Sequence, residues 1–380
     1  MKQFVYADNA ATTQLDIAAF EAMKPYLLSE YGNASQPYSF SRPAKKALRE
    51  SRQMIARCIG AEPEEIYFTS GGTESDNWAL KAIAYSSKEP IEILTSSFEH
   101  HAILHTCKSL ERVGHTIIYI KPSPTGILNC DSLKDSITKN TKLVSIMCAN
   151  NELGTIQPIK ELCSLAHDSG ALFHTDAVQA VGHIPIDVKA LGIDMLSASA
   201  HKFNGPKGIG FLYVRKGLNI PSYLDGGAQE NGLRAGTESV ASIVGMAVAL
   251  SNNCHNMDRN TQHVHSLESL LLSELETSGI AFQRNGAGNI LPGVLNLSFR
   301  NVPGEVILHR LDLMGICVST GSACDSQKTQ ISHVLRAIDL CTDLAQSTIR
   351  ISLGKDNSKE DVQKIVCALT KILNREGHDG

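Results

Sequence analysis

Between residues 65 and 215 the chain separates short apolar runs by amphipathic or turn-forming stretches, and this alternation restricts the fold more than any other feature. Runs at 65–69, 91–95, 116–120, 143–149, 171–175, 194–198 and 209–214 have the length of strands. A parallel strand pair needs a crossover, usually a helix, so strand-length runs alternating with helical periods predict a parallel or mixed sheet. Ile159 to Ser169 reads as one helix, closed by Gly170, and Glu74 to Ser86 as another, entered from a glycine turn. The prediction is a wound α/β sheet.

The texture changes after about residue 250. Val264, Leu267, Leu271 and Leu275 recur at helical spacing, and a Gly/Asn/Pro-rich break follows at 285–293. Strands are predicted at 294–299 and 348–352 and an amphipathic helix from about 358 to 375, the parts of a small α+β unit. A chain of 380 residues exceeds what one core usually fills, so a second unit is expected on size alone.

Composition narrows the function. A formal net charge of −4 gives no basic excess, which argues against nucleic acid and anionic membrane as partners. The start, Met1 to Asp8, has no apolar core followed by a small-residue cleavage site, and no segment has the length of a membrane span, so the expected location is cytoplasmic. None of the ten cysteines forms a Cys-x-x-Cys pair, and His255, His263 and His265 match no zinc spacing, so no metal site is expected. Most of the cysteines are expected to be plain core residues, as with Cys148 and Cys163 in their apolar runs.

Ligands of wound α/β folds collect where strands end and helices begin. After 65–69 comes Ser70-Gly71-Gly72-Thr73-Glu74, whose glycines would let backbone N–H groups approach a phosphate at a helix N-terminus. Asp176 ends the run 171–175, where a carboxylate can pair with a pyridinium nitrogen. Lys202 follows the run 194–198 among small residues. Each alone reads equally as a bare turn, a helix cap and a solvated lysine; together they supply what pyridoxal phosphate requires. His100, after the run 91–95, could stack on the ring and carry protons. Cys324 sits in Gly321-Ser322-Ala323-Cys324-Asp325-Ser326, a loop of small and polar residues that would expose a thiol to reactants.

In their order these segments resemble the NifS/IscS-type cysteine desulfurases, within the class V aminotransferase group on the fold-type I scaffold of pyridoxal-phosphate enzymes. The likeness runs through Tyr6 to Thr13, Ser70 to Asn77, Glu99-His100, Asn150 to Gly154, His174 to Gln179, Ser199 to Lys202, Arg234 to Glu238, Gly321 to Cys324 and Ser347 to Arg350. It implies a large domain at 16–250 with a wound, mostly parallel sheet, and a small α+β domain from 1–15 and 251–380 that carries the cysteine loop. It implies that Lys202 holds the cofactor covalently, that Asp176 pairs with the ring nitrogen and that His100 stacks on the ring. Gln179 and Asn151 would contact the ring hydroxyl region. Gly72, Thr73, Ser199 and His201 would bind the phosphate, with Thr237 contributed by the second subunit of a homodimer. Arg350, with Asn151, would bind the substrate carboxylate.

The reaction so implied removes sulfur from L-cysteine. Lys202 would take the Cα proton, and Cys324, as thiolate, would attack the substrate sulfur to leave a persulfide and alanine. Either the site lowers that thiol's pKa or a base such as His100 assists. The persulfide would pass to an acceptor protein such as an iron–sulfur scaffold or a thiolation relay. The stretch Asn33 to Tyr38 lacks a histidine often found there, and Gly226 to Asn231 has alanine and asparagine where glycine and arginine are common, which leaves the acceptor-facing surface open. Selenocysteine lyase, another lyase or transaminase of the same fold, and a non-catalytic sulfur-transfer scaffold are the competing readings; Cys324 and its loop discriminate against the other enzymes, and a visible Schiff-base absorbance would separate an enzyme from a scaffold.

Overall fold

The computed structural model describes residues 4–321 and 331–376. Its largest element is a seven-stranded sheet in the order Ile66–Thr69, Gly210–Val214, Met195–Ser199, Leu172–Asp176, Thr141–Ser145, Glu92–Ser96 and Thr116–Ile120. Only Gly210–Val214 runs antiparallel to its neighbours. The wound, mostly parallel sheet expected from the apolar runs is present. The strand expected at 143–149 is instead Thr141–Ser145; beyond it the Ile146 and Cys148 N–H groups still donate to His174 and Asp176 of the neighbouring strand, but the Met147 N–H turns to the Glu99 carboxyl rather than to a strand.

Both faces of the sheet are covered, which is why its central strands are apolar throughout rather than alternating. Met195–Ser199 and Gly210–Val214 are buried at every position. One face packs Trp78, Ile83, Ile103 and Leu110 from the helices Gly72–Ser86 and His101–Arg112. The other packs Ile55, Leu162, Ile243 and Leu250 from Arg42–Cys58, Ile159–Asp168 and Val240–His255. The last of these helices is apolar around most of its circumference, so it carries little of the 3.6-residue contrast by which a surface helix is read.

A second, antiparallel sheet has the order Thr348–Ser352, Val294–Phe299 and Phe282–Asn285. Its first two strands match expectation. The third, Phe-Gln-Arg-Asn, is a largely polar edge strand that no apolar run announces. Leu295, Leu297, Phe299, Ile349 and Ile351 share one apolar core with Leu267 and Leu271 of the helix Met257–Thr277 and Ile365 and Leu369 of Lys359–Glu376. The alternate residues Asn296, Ser298, Thr348 and Arg350 occupy the opposite face, where Asn285 Nδ2 donates to Asn296 and Ser298 at 2.9 and 2.7 Å. Leu297 is fully buried in the middle strand. Truncating it by Leu297→Ala should cost about 2–5 kcal/mol, read as a lowered urea midpoint at unchanged slope.

The N-terminal segment is joined to this sheet. Val5–Tyr6 pairs in parallel with Ile316–Cys317, and isolated bridges link Asp8 to Ser352 and Ser319 to Arg350. Residues 8–11 and 319–321 therefore approach the large sheet from the same side as Arg350.

Candidate active site

A cavity of about 320 Å³ opens at the carboxyl ends of the parallel strands, where an open α/β sheet binds its ligands. Its walls include Gly72, Thr73, His100, Asn151, Asp176, Gln179, Ser199, His201, Lys202 and Arg350. Of the residues singled out from sequence, only Thr237 and Cys324 are missing from this group. Thr237 is exposed in its own chain and lines no part of the cavity. Cys324 lies outside the described residues.

Lys202 closes a single 3-10 turn, Ala200–Lys202, directly after the strand Met195–Ser199. Its Nζ donates to the carbonyls of Ala10 and Ala11 at 2.7 and 2.8 Å, so the N-terminal segment positions the amine. Gln179 Nε2 donates to the same Ala10 carbonyl at 2.9 Å. Asp176 ends its strand 5% exposed, and one oxygen accepts the Val178 N–H at 2.9 Å. Burial raises its pKa, against the Val178 N–H and the Lys202 charge. A buried carboxyl so placed is suited to a cationic ring N–H.

His100 caps the helix His101–Arg112, with Nδ1 accepting the Ala102 N–H at 3.1 Å. That bond puts the hydrogen of the neutral ring on Nε2. Burial, then the nearby Lys202 charge, pushes His100 down to about 4, so it is uncharged at neutral pH. As arranged, the imidazole offers an N–H and an apolar face rather than a free lone pair.

The phosphate candidates converge. Gly72, Thr73, Ser199 and His201 line both the main cavity and an adjoining open one of about 330 Å³. Gly71 has φ +147°, and a Cβ on Gly72 would lie 2.5 Å from Val178 Cγ2, so glycine is what lets this helix start close to the strand ends. The first turn of the helix Gly72–Ser86, whose leading N–H groups have no partner within the helix, thereby borders both cavities. His201 Nδ1 meets Thr12 Oγ1 at 3.1 Å, and burial pushes this ring too down to about 4.

Arg350 lies opposite. Its Nη1 donates to the Asn151 carbonyl and its Nη2 to Asp8 Oδ1, both at 2.8 Å, while Nε is buried with no hydrogen-bond partner. That donor is suited to a carboxylate entering the cavity. Asp8 and the carbonyls of Ala10 and Ala11 carried no role in the sequence reading. Their signal was the Tyr6-to-Thr13 stretch itself, too short and irregular for periodicity to place.

Among the described residues no cysteine lines the cavity. Cys107, Cys148 and Cys163 are buried, and burial raises their pKa values, to about 12 for Cys107 and Cys148. Cys341 and Cys367, expected in the core with most of the others, are exposed. Ser319, Thr320 and Gly321 line the cavity and lead toward Cys324.

Glu152, behind Gly321, is fully buried and accepts the Ser332 hydroxyl at 2.7 Å. Burial pushes it up from 4.5 to about 7. A carboxyl whose pKa is raised on folding contributes stability that is present below pH 4.5 and lost as pH rises through about 7. Glu152→Gln should flatten that decline relative to wild type in urea unfolding measured from pH 4.5 to 8; parallel curves would contradict it.

The family model described as aminotransferase class V matches residues 5–365. The chain belongs to the class V aminotransferase family. Within it, the chain is 47% identical over 377 residues to a cysteine desulfurase IscS of Dictyoglomus turgidum, covering 99% of this chain and 96% of that one. A cysteine desulfurase IscS of Clostridium botulinum is 44% identical over 379 residues, with 99% and 96% covered. Among solved structures, a NifS-like protein superposes with TM-score 0.93 at 37% identity, covering 98% of this chain and all of the other. SspA in complex with cysteine superposes with TM-score 0.83 at 35% identity, covering 93% of this chain and all of the other. Such neighbours assign this class V family member the NifS-like fold of pyridoxal-phosphate enzymes.

Proposed function

We propose that the chain is a cysteine desulfurase that uses pyridoxal phosphate to move sulfur from L-cysteine onto Cys324. The observation that carries this reading is the convergence of Lys202, Asp176, His100, the Gly72 cradle and Arg350 on one cavity, from whose wall residues 319–321 run on toward Cys324. Relatives named cysteine desulfurase, at 44–47% identity over nearly the whole chain, give the same answer.

The residues fit the cofactor. Gly72, Thr73, Ser199 and His201 would hold its phosphate, Asp176 its ring nitrogen, Gln179 and Asn151 its hydroxyl side, and His100 one ring face. Lys202 would be its covalent anchor. When bound, pyridoxal phosphate supplies a carbonyl that captures the substrate amine and an electron sink for the bond electrons released at Cα.

The chain's own residues do the rest. Arg350 orients the substrate carboxylate, with Asn151 beside it. Lys202 Nζ would be the base that takes the Cα proton. The Cys324 thiolate attacks the substrate sulfur: an S–S bond forms, the substrate C–S bond breaks and its electron pair stays with carbon, which is protonated to give alanine. The balance is L-cysteine plus enzyme thiol to L-alanine plus enzyme persulfide. His100, neutral and carrying its hydrogen on Nε2, is arranged to donate a hydrogen bond rather than to take the thiol proton. The thiolate must then come from the Cys324 surroundings themselves.

In this reading 16–250 forms the cofactor domain, and 1–15 with 251–380 the smaller one that brings Asp8, Arg350 and Cys324 to the cavity. The active unit is a homodimer, with the exposed Thr237 completing the partner's phosphate site. The acceptor is a protein such as an iron–sulfur scaffold or a thiolation relay. No helix among the described residues is long and apolar enough to cross a membrane, which agrees with a cytoplasmic setting.

The test is product formation: holoenzyme, L-cysteine and a thiol reductant should give alanine and sulfide in equal amounts, whereas pyruvate and ammonia would indicate a different lyase. Arg350→Lys keeps the charge but loses the buried Nε donor and the two bonds to Asn151 and Asp8 that hold it in place, so KM for L-cysteine should rise about tenfold or more. An unchanged KM would make Arg350 a structural partner of Asp8 alone.

A further inference from the structure

Asp76 lies one turn into the helix Gly72–Ser86, is 1% exposed, and lines the cavity beside Asp176. A carboxyl oxygen of Asp76, one of Asp176 and a ring nitrogen of His100 all lie within 4.8 Å of one another. Asp76 Oδ1 is buried with no hydrogen-bond partner, although the Ser197 hydroxyl bonds to the same carboxyl. Ser197 belongs to a relay: Ser145 Oγ meets His174 Nδ1 at 2.8 Å, and His174 Nε2 meets Ser197 Oγ at 3.0 Å. With Ser145 and Ser197 each donating onward, His174 carries its hydrogen on Nε2 and the relay ends by donating to Asp76.

Two buried carboxyls this close do not both ionise at ordinary cost. The groups acting on them show which keeps the proton. Asp176 receives the Val178 N–H and the Lys202 charge, both of which favour its anion. Asp76 faces the charge of Asp176, with the Glu99 carboxyl, itself pushed up to about 8 by burial, as a weaker influence; the Ser197 hydroxyl is the one contact that favours its anion. His174 stands 3.8 Å from Asp76 Oδ1 but is held neutral, since burial pushes its pKa down to about 3. A buried carboxylate oxygen with no donor is costly, whereas a carboxylic O–H at that position can itself donate.

We propose that Asp76 is kept as the neutral carboxylic acid and serves as a positioning residue, donating from Oδ1 to Asp176, directly or through one water, so that Asp176 remains the anion opposite the ring nitrogen. This rests on the cofactor reading above. In this role Asp76 acts through Asp176 rather than on the substrate.

The readout is the affinity of apoprotein for pyridoxal phosphate, titrated by absorbance from pH 5 to 8, in wild type, Asp76→Asn and Asp76→Ala. Affinity falls on the acid side as Asp176 takes up a proton. Asparagine is neutral, can accept from Ser197 and still donates toward Asp176, so its acid midpoint should match wild type and its affinity should stay within about threefold. Alanine removes the donor, destabilises the Asp176 anion and should raise the midpoint by about one pH unit, about tenfold in affinity below it.

If Asp76 were ionised in the wild type, Asp76→Asn would remove a negative neighbour and lower the midpoint, which overturns the proposal. An alanine midpoint equal to wild type also overturns it. Should Asp76→Ala fail to fold, the asparagine variant alone separates a neutral from an ionised Asp76. Absence of saturable pyridoxal-phosphate binding by wild type would instead refute the cofactor reading, a distinct outcome.

Discussion

Lys202→Ala is expected to reduce alanine formation from L-cysteine by roughly 10³-fold or more, because one substitution removes both the covalent anchor and the Cα base. Borohydride treatment of wild-type holoenzyme should fix the cofactor mass on the peptide containing Lys202, and the variant should retain none. Lys207 lines the adjoining cavity and is the lysine to compare. Lys207→Ala should therefore keep the covalent mark on Lys202. Retained turnover in Lys202→Ala, or a mark that moves to Lys207, would remove Lys202 from its role. The geometry argues against that result: Lys202 lines the same cavity as Asp176, with its Nζ held by the Ala10 and Ala11 carbonyls, whereas Lys207 does not line it.

Cys324→Ser should separate binding from sulfur removal. Lys202, Asp176 and Arg350 suffice to bind L-cysteine and take its proton, so the variant should still perturb the cofactor absorbance on mixing with substrate. It should release almost no alanine. A serine hydroxyl is scarcely ionised at neutral pH, and His100, the base nearest at hand in the sequence reading, offers an N–H in this arrangement. An enzyme acting by direct elimination, as a selenocysteine lyase could, would tolerate the change. Wild-type turnover by Cys324→Ser would therefore favour that alternative.

The chemistry was legible in the sequence where it sat at strand ends. Asp176 and Lys202 each follow an apolar run, and Gly71-Gly72 must be glycine for a helix to begin so near Val178 and Ser199. Such positions carry a local signal because backbone geometry forces the residue type. Asp8 and Asp76 were not legible as functional residues. Asp76 lies inside a helix, where an acidic residue ordinarily faces solvent, and only the packed sheet reveals it as 1% exposed beside Asp176. Asp8 reaches Arg350 across 342 residues of sequence, through a pairing of N- and C-terminal strands that no periodicity encodes.

In the fold, the large sheet was legible because both its faces are covered and its strands stand out as apolar runs. The edge strand Phe282–Asn285 and the nearly all-apolar helix Val240–His255 escaped for opposite reasons, one too polar and the other too uniformly apolar to show a period. The exposed Cys341 and Cys367 show the limit of composition: a thiol's surroundings are set by which helix face it occupies.

The most direct test of the central claim is intact-mass analysis of wild-type holoenzyme after brief exposure to L-cysteine without reductant, followed by peptide mapping under non-reducing conditions. The account predicts an adduct of about 32 Da, one sulfur atom, on the peptide containing Cys324, removed by a thiol reductant and absent from Cys324→Ser. An adduct that maps to another of the ten cysteines, or alanine formation with no adduct at all, would contradict it.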